Sequence, residues 1–199
     1  MPRVAGRTRE DTRRALLDAA GVCIRARGTS ATLDHIAKQA GVSKGGLLHH
    51  FATKDDLVRA LAQDLFDRFR ADVAAAVDPD DTAPGRLTRA YIRVSAAFSH
   101  DPDTFHDLVP LVAHLAAIPD ITDLAHADTR RWHDDLAGDG LPPHITDLVI
   151  AAADGISATS FWNHHSDPAA LRNLETLLLT LTTNTTAWDQ LALPSGEQP

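Results

Sequence analysis

The sequence predicts an all-α protein, and three observations carry that reading. Apolar residues return at steps of three and four along most of the 199-residue chain. No stretch alternates apolar and polar residues long enough to form a convincing sheet. Capping residues, glycines and prolines cut the periodic pattern into about nine helices of ordinary length.

Each element has its own signals. From about Glu10 the residues Leu16, Ala19, Ala20, Cys23 and Ile24 mark a first helix, which Gly28 ends. Thr32 can cap a second, short helix with Leu33, Ile36, Ala37 and Ala40 on its apolar side, and Gly41 suits the left-handed residue that closes it. Ser43 can cap a third through Leu47, Leu48 and Phe51. Thr53 with Asp56 makes a capping-box variant for a fourth, whose Leu57, Leu61, Leu65, Phe69 and Val73 keep it facing a core.

The breaker-rich run from Asp78 to Gly85 reads as a linker. A fifth helix carries Leu87, Tyr91, Val94 and Phe98; a sixth opens at Asp101-Pro102, with a break or kink expected near Pro110. Pro119 separates a seventh, with Leu124, Trp132 and Leu136, and an eighth begins near Ile145. Asp167-Pro168 starts a ninth. There Leu171, Leu174, Leu178, Leu181, Thr185 and Trp188 follow alternating steps of three and four, the seam of a packed helix pair. Leu171, Leu174, Leu178 and Leu181 are therefore the expected dimer interface, because such a stripe would be oily and exposed on a monomer.

Composition narrows the function. A single cysteine, Cys23, forbids an internal disulfide framework and fits a cytoplasmic location. No signal peptide is expected from the arginine-bearing N-terminus, and the apolar runs are too short to span a bilayer. The net charge of -8 is unevenly spread: up to Lys54 there are ten Lys and Arg against four acids, and beyond it nine against 23. A basic N-terminal segment of that size can engage a phosphate backbone, and an acidic remainder would be held away from it.

The second and third helices, joined by the tight Ala40-Gly41-Val42-Ser43 turn, have the dimensions of a helix-turn-helix. The run from Thr32 to Lys54, TLDHIAKQAGVSKGGLLHHFATK, resembles the DNA-binding signature of the TetR family. Ile36, Ala37, Ala40, Gly41, Val42, Ser43, Gly45, Leu47, Phe51 and Lys54 stand at the family's positions, and Leu16, Ala19, Ala20, Ile24 and Gly28 match its first helix. The resemblance implies a helix-turn-helix domain over 1–54 and a helical effector-binding and dimerisation domain over 55–199. It further implies a repressor that binds a palindromic double-stranded operator as a homodimer and is released by a small-molecule effector.

Carried over residue by residue, Thr32 caps the second helix and can touch a phosphate. Ser43, Lys44, Gly45 and Gly46 open the recognition helix, where exposed amides and little side-chain bulk let the backbone approach DNA. Leu48, His49 and His50 follow, and Lys54 begins the fourth helix near the phosphates. Many relatives have Thr at the position of Gly46 and Tyr at that of Leu48 or His49. This recognition helix thus has fewer hydrogen-bonding side chains, and its base readout rests on Lys44, His49 and apolar contact with thymine methyls.

The effector pocket implied by the family falls among Tyr91, Phe98, Phe105, His114, Trp132 and Asp154, residues that would suit a lipophilic or cationic ligand. Ala153-Asp154-Gly155 and Arg131-Trp132 resemble a C-terminal domain of one branch of that family. Asp154 is either a buried partner for a polar group or a pocket residue. No metal or cofactor is expected: no two of the eleven histidines sit at i, i+4 spacing with a supporting third ligand. An enzyme is the weaker alternative, since no nucleophile elbow, phosphate loop or metal-hydrolase motif is present. A helical interaction module without DNA binding would need the basic signature to be vestigial.

Overall fold

The computed structural model describes residues 8–100, 102–162 and 167–192, and the side chains within them except those of 98–100, 102–106 and 157–162. Among the described residues there are ten α-helices and no strand. They are α1 (Arg9–Arg27), α2 (Leu33–Ala40), α3 (Lys44–His50), α4 (Lys54–Ala76), α5 (Arg86–His100), α6 (Pro102–Ala116), α7 (Pro119–Ala137), α8 (Pro143–Trp162), α9 (Pro168–Leu181) and α10 (Thr185–Leu191), with a short 3-10 turn at Gly28–Ser30.

The chain divides into two compact units. The first comprises Met1–Asp67 and His106–His126. Its core gathers Leu16 and Leu17 of α1, Ile36 of α2, Leu47 of α3 and Leu57 and Leu61 of α4, joined by Leu111, Leu115 and Ile121. Local chemistry sets the element ends. The Thr8 hydroxyl accepts from the Asp11 amide while the Asp11 carboxylate accepts from the Thr8 amide, a complete capping box for α1. Thr53 and Asp56 repeat that exchange before α4 at 3.0 Å in both directions. Arg14 of α1 is clamped by Asp18 of its own helix and by Asp64 of α4.

The second unit comprises Arg68–Phe105 and Ala127–Pro199. Its core holds Val73, Ile92, Leu136, Ile145, Val149 and Ile156, with Leu171 and Leu178 of α9. The breaker-rich segment before α5 is a clasped loop here. Buried Arg89 donates to the Asp81 carboxylate and to the carbonyls of Ala83 and Pro84, while the Gly85 amide donates to the Asp139 carbonyl at 2.8 Å. Asp139 also accepts from the amide and hydroxyl of Thr88, so a residue 51 positions away closes the first turn of α5.

Three expectations are corrected. α6 continues through Pro110 without a break. The ninth helix stops at Leu181 and Trp188 lies on α10, because the Thr182 and Thr183 hydroxyls donate to helical carbonyls of Leu179 and Thr180 and the Asn184 side chain caps the next helix. The leucine seam of α9 is not an exposed stripe. Leu171 and Leu178 are only 8% and 5% exposed, and Leu174 and Leu181 pack half-buried beside them, because α5 and α8 cover that face within the same chain. On α8 and α9 the large apolar side chains left outside, among the described residues, are Leu148 and Leu177, 46% and 65% exposed.

Candidate nucleic-acid interface and effector site

Helices α2 and α3 are joined by a turn that Gly41 makes possible, at a φ of 71° that side chains rarely adopt. The Gly41 amide donates to the Lys38 carbonyl and the Val42 amide to that of Ala37, the paired bonds of a Schellman ending. Thr32 caps α2 by accepting from the His35 amide, and His35 Nδ1 takes the reciprocal bond from the Thr32 amide. Ser43 caps α3 by accepting from the Gly46 amide at 3.0 Å.

Burial then orients α3. Leu47 and Phe51 are buried in the first unit's core, which leaves Ser43, Lys44, Gly45, Leu48 and His49 exposed and Gly46 and His50 half-buried. Gly45 and Gly46 leave two of the three first-turn positions, which start at Lys44, without a side chain, so the backbone there is open to a close approach. Lys44 Nζ pairs with Asp34 of α2 at 2.8 Å, an exposed and breakable contact. Lys54 Nζ donates to the Thr29 carbonyl at 2.5 Å. His50 faces α1. Burial pushes its imidazole below the usual histidine value, and the charges of Arg9, His49 and Arg13 push the same way against Glu10.

In the second unit three rings meet edge to face. Phe69 of α4, Tyr91 of α5 and Trp132 of α7 have centroids 5.0–5.5 Å apart. The Tyr91 hydroxyl donates to the Asp154 carboxylate of α8 at 2.6 Å. Burial, with Asp154 beside it, pushes the phenol's pKa up, so Tyr91 remains a donor. Asp154 is itself exposed, so it is not the buried partner expected, although it accepts the hydrogen bond of the buried Tyr91 hydroxyl. Arg70 of α4 stacks on the Trp132 ring and forks onto Asp128 and Asp135 of α7. The Trp132 Nε1–H is buried with no hydrogen-bond partner among the described residues.

Of the expected pocket residues, the structure thus brings Tyr91, Trp132 and Asp154 together. His114 belongs to the first unit, where its ring packs against Gly28 so closely that an added Cβ would lie 2.9 Å from it. The side chains of Phe98 and Phe105 lie outside the described residues. Phe69 was legible only as core, while Arg70 and Asp128 were missed. The signal for Asp128 was present, since Asp128, Trp132 and Asp135 fall at i, i+4 and i+7 on one helical face.

Comparison with known proteins agrees with this geometry. A family model described as bacterial regulatory proteins, tetR family, matches residues 16–61. A second, described as tetracyclin repressor-like, C-terminal domain, matches residues 85–183. The HTH-type transcriptional repressor Rv1474c of Mycobacterium tuberculosis is 30% identical over 79% of this chain and 87% of its own length. The HTH-type transcriptional repressor KstR2 of Rhodococcus jostii is 36% identical over 44% of this chain, and the chain spans less than half of that relative, 45%. Among solved structures, the multidrug binding protein EbrR complexed with malachite green superposes with a TM-score of 0.66 at 22% identity, covering 85% of this chain and 96% of that one. The fatty acid degradation regulator FadR of Bacillus halodurans gives 0.65 at 19%, covering 87% and 97%. At such identities the likeness is one of fold.

Proposed function

The chain belongs to the TetR family of DNA-binding transcriptional regulators, and from that premise we propose that it is a cytoplasmic repressor released from its operator by a lipophilic cation. The operator is a palindromic duplex, bound by a homodimer whose two recognition helices enter successive major grooves about 34–36 Å apart. Thr32, Ser43, Lys44, Gly45, Gly46, Leu48, His49, His50 and Lys54 form the DNA face, with the glycine-bearing first turn of α3 against the backbone. The partner copy docks on the outward face of α8 and α9, where Leu148 and Leu177 stand exposed, because the expected leucine seam is used within the chain.

The observation that carries the effector reading is the exposed Asp154 carboxylate bonded to Tyr91, whose ring packs against those of Phe69 and Trp132. Aromatic faces and a carboxylate together favour an aromatic cation. EbrR, the fold neighbour bound to malachite green, supports the same chemistry, and that dye is the first compound to test. A ligand shifts the DNA equilibrium only through different affinities for the bound and released conformations. Phe69 and Arg70 lie on α4, the helix that begins at Lys54, so a ligand that moves them acts on the helix that opens beside the DNA face. A coupling of about 1–3 kcal/mol would weaken operator binding 5–150-fold.

Selection of bound fragments from a genomic library, followed by titration of malachite green into the protein–operator complex, tests both halves. Enrichment of a palindrome and release by the dye are expected. Binding of the dye with no change in operator affinity would overturn the effector assignment, and the absence of any enriched sequence would overturn the operator assignment.

A further inference from the structure

We propose that the Arg70 guanidinium is the resident cation of the effector site, and that the effector class is an aromatic amidine or guanidine that takes its place. The proposal rests on the effector reading of that site and adds the chemistry of the cation and the contact it breaks. Arg70 already makes the contacts that a planar, N–H-bearing cation would make there. Its guanidinium carbon lies 4.3 Å from the centre of the Trp132 ring. Its Nε–H donates to Asp128 Oδ1 and one terminal nitrogen to Asp135 Oδ2, each at 2.8 Å, while the other terminal nitrogen donates to the Asp128 carbonyl at 3.2 Å.

The cluster is built for exchange. The Arg70 side chain is 17% exposed and its partner Asp135 is half exposed, so the guanidinium stands close to water and can leave. Buried Trp132 has an Nε1–H with no partner among the described residues, so Arg70, Phe69 and Tyr91 position the ring and no hydrogen bond of its own does. Asp128 then decides which cation enters. Its side chain is 11% exposed, and a carboxylate so enclosed is costly to leave without a donor. A cation that lacks N–H groups can stack on the indole but leaves Asp128 unpaired, so it cannot replace Arg70. An amidinium brings a flat delocalised charge and paired N–H donors that match a carboxylate, and its aryl group adds to the aromatic cluster. The exchange has a mechanical consequence. Asp128 and Asp135 belong to α7 and Arg70 to α4, the helix that begins at Lys54, so the entering cation frees α4 from that clamp.

The test compares benzamidine with phenyltrimethylammonium, which also carries one benzene ring and one positive charge but no N–H. Titrated calorimetrically into the full chain, benzamidine should bind about tenfold more tightly than the ammonium. In the wild-type protein the Arg70 Nε–H resonance, identified by its loss in Arg70→Lys, should move to the position of a solvated arginine as benzamidine saturates. Arg70→Ala removes the competitor, so it should bind benzamidine about tenfold more tightly than wild type and gain more thermal stability from it. Equal affinity for the two cations with an unmoved Arg70 resonance would overturn the exchange, and release of operator by malachite green in the same protein would then leave the effector reading standing. Benzamidine that displaces Arg70 without changing operator affinity would uphold the exchange of cations and overturn the effector reading.

Discussion

The guanidinium carbon of Arg70 lies 4.3 Å from the centre of the Trp132 ring, and the same group donates to Asp128 and Asp135. The indole is thereby fixed between a cation and two aromatic edges while its own N–H has no partner among the described residues. Replacing Trp132 by Phe removes that orphan donor, whose burial costs about 1–3 kcal/mol, and offsets the loss of ring volume. Stability in urea should stay within roughly 1 kcal/mol of wild type, whereas Trp132→Ala should lose about 3–5 kcal/mol. A large loss in the Phe variant would mean that the N–H is satisfied after all.

Gly45 is the position at which stability and DNA approach should part company. A Cβ there would meet nothing nearer than the Ser43 hydroxyl at 4.0 Å, so alanine fits and should stabilise the helix by up to about 1 kcal/mol. The methyl group would nonetheless stand where the backbone meets the duplex. Gly45→Ala should therefore raise the urea midpoint and weaken operator binding. Unchanged affinity would remove Gly45 from the interface.

The environment of His50 makes a pH dependence. Its folded pKa lies below the unfolded value of about 6.5, because burial and the neighbouring arginines disfavour the imidazolium. The unfolded chain thus binds the proton more readily. The contribution favours the fold above pH 6.5 and is lost as pH falls through the lower folded value. Thermal midpoints should drop between pH 7.5 and 5.5, His50→Gln should flatten part of that drop, and bound duplex should shrink it because phosphate favours the charged ring. Identical profiles for wild type and His50→Gln would contradict this.

Two adjacent leucines on α9 should respond differently to the same substitution. Leu178→Glu places a carboxylate where the side chain is 5% exposed and should unfold the second unit, at a cost above about 3 kcal/mol. Leu177→Glu with Leu148→Glu alters only exposed positions and should yield a folded monomer by sedimentation with weak operator binding. A double variant that stays dimeric would move the partner face elsewhere.

What the sequence determined by itself is the set of features decided within a few residues. The Thr32, Ser43, Thr53 and Asp167 caps and the Gly41 ending were legible because each is a contact between a side chain or amide and a neighbour two to five positions away. With them came the helix-turn-helix and, through its signature, the family. What only the tertiary structure decided is where each periodic face points and which distant groups meet. The α9 leucines announce a buried stripe, but spacing cannot say whether a partner chain or the chain's own α5 and α8 covers it. His114 was read with the aromatic residues because both are common in pockets, yet packing puts its ring on Gly28. The Tyr91–Asp154 and Thr88–Asp139 bonds span 63 and 51 residues. Such pairings depend on how helices stack, and stacking is selected by the burial of many side chains at once, a sum that no local pattern contains.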